Sequence, residues 1–199
     1  MFQSYANQNQ TTPTFKTKRL LLEPFTFDAT KALNQEEDEE WETIEELAGD
    51  AKVAMTTQFI PHPYPTGASK SWIASQQKAW STGTDMTLAI KLIEQGPTKS
   101  KIIGVISIMS DIYNGTNILK LGYWIGSPYW NNGYATEASL VIVDFVFNTL
   151  NISCLWASCM SHNIGSERVF QKIGMKYQYS QPLVIRGQPI DCKFYNITK

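Results

Sequence analysis

Gly122-Tyr-Trp-Ile-Gly-Ser-Pro-Tyr-Trp-Asn-Asn-Gly-Tyr-Ala-Thr-Glu-Ala138 is the stretch on which the fold turns. Its first residues close a strand that spans Ile118 to Ile125, and Gly126 to Asn132 reads as a loop. Asn131-Asn132-Gly133 supplies the unusual dihedrals that a tight strand-to-helix turn needs. A helix is expected from about Tyr134 to Thr149. Its Val and Ile lower helix propensity, but its length argues against a strand. A turn that opens directly into a helix leaves backbone N–H groups unpaired. Those donors and the helix dipole suit a phosphate or pyrophosphate. Gly133 and Ala135 are small enough to let a ligand approach the backbone. Taken alone, the same pattern also fits an ordinary turn.

Working outward, Ile152 to Cys159 reads as a strand, and Asn163 to Ile173 as a short helix stopped by Gly174 in a left-handed C-cap. Lys176 to Ile185 and Asp191 to Thr198 form a strand pair around Arg186-Gly187. Upstream, Met86 to Ile93 and Lys101 to Ser110 precede Ile118 to Ile125 as an antiparallel meander. The joints are the Gly96–Ser100 turn and Asn114-Gly115. Ser69 to Trp80 carries Trp72, Ile73, Gln76 and Trp80 at helical spacing. His62-Pro-Tyr-Pro65 belongs to a rigid, extended loop, and Lys18 to Phe27 is a strand that meets Pro24. Asp28 is expected to cap a helix over Ala29 to Leu33. Residues 1–15, rich in Gln, Asn and Thr, are expected to form a flexible N-terminal arm ahead of one domain over 16–199.

Composition excludes several classes. At 199 residues, 43% apolar and 18% charged, the chain is too apolar for disorder and fits a single core. A formal charge of -1 argues against a broad nucleic-acid surface. Glu36 to Glu46 holds eight of the 18 acids, which leaves 17 bases against ten acids elsewhere, a balance of +7. That run reads either as a solvated amphipathic helix with Trp41, Ile44 and Leu47 inward, or as an acidic lip that draws in a cationic substrate. Cys154, Cys159 and Cys192 form no close pair, and with only His62 and His162 no zinc cluster is expected. The N-terminus has no basic stretch followed by an apolar core. Ala138 to Leu150, the most apolar run, is interrupted by Asp144 and is too short to span a bilayer. A cytoplasmic location and no membrane partner are the expectations. Neither GxGxxG nor GxxxxGK[ST] occurs, so a dinucleotide or nucleoside-triphosphate fold is disfavoured.

Three segments together carry a resemblance. Thr17-Lys-Arg-Leu-Leu-Leu-Glu-Pro-Phe25 resembles the opening strand of the GNAT N-acetyltransferases, in their ribosomal-protein (RimJ/RimL-like) branch. Gly122 to Ala138 resembles that branch's acetyl-CoA motif. Asn163-Ile-Gly-Ser166-Glu-Arg168-Val-Phe-Gln-Lys172-Ile-Gly174-Met is similar to its second motif. His62-Pro-Tyr-Pro65, Arg186-Gly187, Asp191 and Tyr195 agree as well. The resemblance implies an α/β fold with a mixed sheet whose fourth and fifth strands splay apart, flanked by helices. It implies transfer of an acetyl group from acetyl-CoA to an amine, either a protein N-terminus or a small molecule, with a homodimer allowed. It places the pantetheine along Tyr123, Trp124 and Ile125, and the pyrophosphate on the amides of Asn131, Asn132, Gly133, Tyr134, Ala135 and Thr136. Asn163, Ser166 and Lys172 complete the cofactor side. Tyr64, Trp72 and Lys120 are assigned to the acceptor side.

The chain departs from the resembled pattern at informative places. Trp130 stands where Gln or Arg is common, and Asn131 where Gly is common. Phe170 replaces a tyrosine that serves as general acid in many relatives, and Lys120 a glutamate that serves as base. The thioester is already activated, so the chemistry needs placement of an uncharged amine, polarisation of the carbonyl and a proton for the thiolate. Ser166, Tyr177 and Ser110 are the candidates for the missing proton chemistry, with solvent as the alternative. No covalent role is expected for Cys154 or Cys159. A second reading is a CoA-binding sensor or interaction module without turnover.

Overall fold

Alternation along two long strands sets the layers. In the computed structural model, which describes residues 3–8, 11–25, 39–93, 100–113 and 115–199, β3 (Asp85–Leu92) and β4 (Lys101–Tyr113) pair antiparallel. β4 pairs in turn with β5 (Thr116–Ile125). Partners in register share a face. Ile106 and Ile108 meet Tyr123 and Leu121 on one side, while Val105, Ser107 and Met109 meet Trp124, Gly122 and Lys120 on the other. Two helical layers cover these faces.

β1 (Phe15–Lys16) and β2 (Leu20–Glu23) extend one edge of the sheet. β6 (Cys154–Met160), β7 (Lys176–Ile185) and β8 (Gln188–Thr198) extend the other. The eight strands run in the order β1-β2-β3-β4-β5-β6-β8-β7. All neighbours are antiparallel except β5 and β6. That parallel pair is in register at one position, Lys120 with Trp156. Beyond it β5 stays with β4 and β6 stays with β8, so the two strands diverge. The fold is the mixed, splayed sheet with flanking helices that the sequence led us to expect. Counted from Leu20–Glu23, the splay lies between the fourth and fifth strands.

α5 (Tyr134–Asp144), continued by a π-helical turn over Phe145–Thr149, and α6 (Ile164–Lys172) cover one face. The core between them and the sheet includes Leu20, Leu88, Ile106, Leu119, Ala138, Ile142 and Phe170. Burying each large aliphatic there contributes about 1.5–3 kcal/mol. α2 (Glu39–Gly49), the short α3 (Ala51–Ala54) and α4 (Ala68–Ser81) lie on the other face, around Phe25, Ile44, Ile73 and Val105. The segment expected as an arm contains α1 (Gln3–Gln8), where Ala6 is buried and Tyr5 meets Trp80 and Phe145 edge-on.

The described part of the acidic run follows the helical reading. Ile44 and Leu47 are buried, and Trp41 is half-buried beneath the Lys70 ammonium. Two acids face inward rather than outward. Glu40 joins Glu23 in gripping the buried Lys91 ammonium at 2.6 Å each, and Glu45 accepts from the Gly67 amide and the Ser69 hydroxyl. Glu36 to Asp38, the Asp28 cap with its helix, the 96–99 part of the Gly96–Ser100 turn and Asn114 lie outside the described residues.

Candidate active site

The turn before α5 is built from local backbone chemistry. Asn131 and Gly133 both take positive φ, 62° and 79°, which Asn tolerates and Gly takes without strain. The Asn132 amide closes the turn onto the Tyr129 and Trp130 carbonyls, and the Trp130 indole N–H donates to the Ile125 carbonyl at 2.6 Å. Gly133 caps α5 without a side-chain bond. The N–H groups of residues 131–136 therefore have no acceptor among the described residues. A row of free amides at a helix start is a cradle for an anionic oxygen cluster.

Glu137 bolts this turn to the opposite edge of the sheet. Its carboxylate accepts from the Thr17 hydroxyl at 2.6 Å, the Arg19 amide at 2.9 Å and the Arg19 Nε at 2.7 Å. Arg19 also donates to the Asn132 carbonyl at 3.0 Å and lies 4.6 Å over the Tyr134 ring. Burial pushes the Glu137 carboxyl up, but the bonds from Thr17 and Arg19 and the guanidinium charge pull harder and leave it below the usual range. Glu137 is thus a fixed anion that orients the turn.

The splay opens onto a cleft of about 530 Å³. Lys120 to Trp124 of β5, Ser158 and Cys159 of β6, and Ser166 and Phe170 of α6 form its junction. Ile44, Tyr64, Trp72, Gln76, Asp85, Thr87, Ser107 and Met109 line the face under α2 and α4. A loop over Thr56–Pro61 forms the rim. The Arg186 guanidinium, in the turn between β7 and β8, holds that rim by donating to the Ala54, Thr57 and Ile60 carbonyls. Asn163 ties α6 to the same rim. Its Oδ1 accepts from the Ser166 amide at 3.0 Å, and its Nδ2 donates to the Thr56 carbonyl at 3.2 Å.

The candidate residues fall into two groups. Tyr123, Trp124 and Ser166 line the cleft, and so do Tyr64, Trp72 and Lys120. Ile125 ends β5 beside them, while Asn131 to Thr136 form the separate amide cradle at the head of α5. Lys172 is exposed in the last turn of α6. Tyr177 and Ser110 stand away from the cleft. Tyr177 is exposed on β7 with its hydroxyl 3.0 Å from the Ser180 hydroxyl, and Ser110 is exposed towards the outer end of β4. Lys120 is largely buried and paired with Asp111 at 3.2 Å. Burial pushes the Cys159 thiol up to about 12, the wrong direction for a nucleophilic thiolate.

Two features had no sequence signal. Asp85 stands just ahead of the strand expected from Met86, yet it lines the cleft, its carboxyl pushed up by burial. Tyr123 carries a buried hydroxyl with no hydrogen-bond partner. Both depend on strand register and on the splay, which no local pattern reports.

A family profile described as the acetyltransferase (GNAT) domain matches residues 19–176. The chain is 28% identical over 160 residues to the uncharacterized N-acetyltransferase YnaD of Bacillus subtilis, covering 80% of this chain and 81% of that one. A GNAT-family acetyltransferase structure from Bacillus anthracis superposes with a TM-score of 0.72 at 23% identity, over 94% of this chain and 98% of that one. The microcin C7 self-immunity acetyltransferase MccE, solved with acetyl-CoA and AMP, gives 0.73 at 18% identity over 92% and 94%. RimL, a ribosomal alpha-N-protein acetyltransferase solved with coenzyme A, gives 0.72 at 12% identity over 94% and 98%. At these identities the structural likenesses speak to the fold alone.

Proposed function

The chain belongs to the GNAT acetyltransferase family, and from that premise we propose that it transfers an acetyl group from acetyl-CoA to an amine. One observation carries the reading. β5 has lost its neighbour beyond Lys120, and the chain leads from its end at Ile125 through one loop to a row of amides over residues 131–136 at the head of α5. The amides suit a diphosphate, and the unpaired edge of β5 from Leu121 to Ile125 suits the amide groups of a pantetheine. Asn163 and Ser166 close the far side, and Lys172, exposed in the last turn of α6, is the cation assigned to the cofactor's phosphates. Bound there, the thioester supplies an activated acetyl group. The protein's part is to hold an uncharged amine against it and exclude competing water.

The acceptor belongs on the face lined by Tyr64, Trp72, Asp85 and Lys120. The resemblance to the RimJ/RimL-like branch favours a protein N-terminal amine, with a small-molecule amine as the other class. Among the described residues no helix is long and apolar enough to cross a membrane, and a cytoplasmic location is part of the proposal. A second reading, a CoA-binding module without turnover, draws on the Lys120–Asp111 pair and the phenyl ring of Phe170 in the cleft wall. Thiol release from acetyl-CoA across a panel of peptides and small amines separates the two. Turnover with any amine supports the transferase, and tight CoA binding with no turnover supports the module.

A further inference from the structure

Asp85 is a charged group in the cleft wall that the site leaves without a partner. It opens β3 on the face under α2 and α4 and is half-buried there. No hydrogen bond or ion pair among the described residues engages its carboxylate, and burial alone pushes its pKa up. The other charged side chain in the lining, Lys120, is taken by Asp111. A carboxylate drawn out of water with nothing to bond costs stability, and a bound cation offsets that cost. Strand register says what lies between Asp85 and the splay. Asp85, Met109 and Lys120 form one row across the sheet, and Thr87, Ser107 and Gly122 form the next. Gly122 belongs to the edge of β5 proposed for the pantetheine. A Cβ there would meet the Met109 methyl at 2.8 Å and the Ser107 Oγ at 3.3 Å, so Met109 leans over the second row. Trp72 faces the same space from α4. The way from Gly122 to Asp85 is therefore apolar in its middle and anionic at its far end. Two strand spacings and two residues separate the two backbones, about 12 Å on the diagonal. Less the reach of the carboxylate and one hydrogen bond, about 6–8 Å remains.

We propose that Asp85 selects the acceptor by binding a second, non-reacting ammonium on an amine whose two nitrogens are about four to six carbons apart, an assignment that rests on the function proposed above. The reacting nitrogen then stands at the thioester near Gly122, the methylenes cross Met109 and Trp72, and the far ammonium meets the Asp85 carboxylate. A linear aliphatic diamine has this form. So does a peptide that begins with lysine, whose α-amine reacts while its side-chain ammonium is held.

The test compares cadaverine with hexylamine, which carries a methyl group in place of the second ammonium, and a lysine-initiated peptide with its norleucine counterpart. Each pair is read as a ratio of kcat/KM, so a general loss of activity cancels. The wild type should prefer the charged member of at least one pair by about 10- to 100-fold. Preference within the amine pair assigns a small diamine, and preference within the peptide pair assigns a protein N-terminus. In Asp85→Asn and in Asp85→Ser the ratio should fall to within about threefold. The melting temperature should stay level or rise, since no native bond to the carboxylate is lost. A wild type that does not distinguish the members of either pair overturns the assignment. So does an equal loss on both members in the variants, which would make Asp85 a general part of the site rather than a selector. Calorimetry of the same amines on the protein with saturating CoA separates this failure from failure of the transferase reading. Charged-amine binding that depends on Asp85 without any turnover keeps the subsite and defeats the transferase, and absence of that binding defeats the subsite.

Discussion

At the scale of single residues, the site depends on two local devices, a left-handed turn and a charged bolt. Gly133 sits at φ 79°, where a side chain is strained although the space beside it is open to the Arg19 guanidinium. Gly133→Val should lower stability by about 1–2 kcal/mol and weaken CoA binding about tenfold, as read by thermal melting and calorimetry. Glu137→Gln keeps the shape but loses the charge-assisted bonds to Thr17 and Arg19. Stability should fall by about 1–2 kcal/mol, discounted for the part-exposed guanidinium. The sign of its pH dependence follows from the lowered carboxyl pKa. The folded state favours the carboxylate, so this contribution is present above the ordinary value of 4.5 and is lost as pH falls below it. Urea unfolding across that window should show a shallower acid slope for Glu137→Gln than for the wild type. The turn was legible from sequence because Asn131, Asn132 and Gly133 announce their own dihedrals. The bolt was not, since Thr17 and Arg19 reach Glu137 across more than a hundred residues.

At the scale of elements, what the sequence could announce depended on whether the cause was local. Helix α5 was readable by length, and its start is where the turn put it, but the switch to a π-helical turn at Phe145 follows no sequence signal that we can name. The acidic run could be read as a helix from Ile44 and Leu47. The inward use of Glu40 and Glu45 could not, because it depends on Lys91 and on the start of α4. The splay between β5 and β6 entered only through the family resemblance, since nothing in either strand says where its neighbour leaves. The rim over Thr56–Pro61 is similar. Arg186 was visible as a turn residue, but its three carbonyl partners lie about 130 positions away. Removing them should act chiefly on the acceptor side. Arg186→Ala is expected to raise the acceptor KM about tenfold through the loss of roughly 1–2 kcal/mol of ordering, with a smaller change in the CoA Kd, since Asn163 shares the rim through the Thr56 carbonyl, and with partial recovery in Arg186→Lys.

At the scale of the whole molecule, the sheet brings two faces together at one gap. The amide cradle over residues 131–136 and α6 define the side suited to a CoA thioester, and α2, α4 and the 56–61 rim define the side open to an acceptor. A ligand that joins the cradle to β5 stabilises both. Saturating CoA, at about 100 times its Kd, should raise the melting temperature by about 5–10 °C. The measurement that tests the central claim most directly is amide hydrogen exchange with and without CoA. The account predicts new protection at residues 131–136 and along Leu121–Ile125, together with little change in the β7–β8 hairpin. Tight CoA binding that leaves those amides exchanging as in the free protein would contradict it.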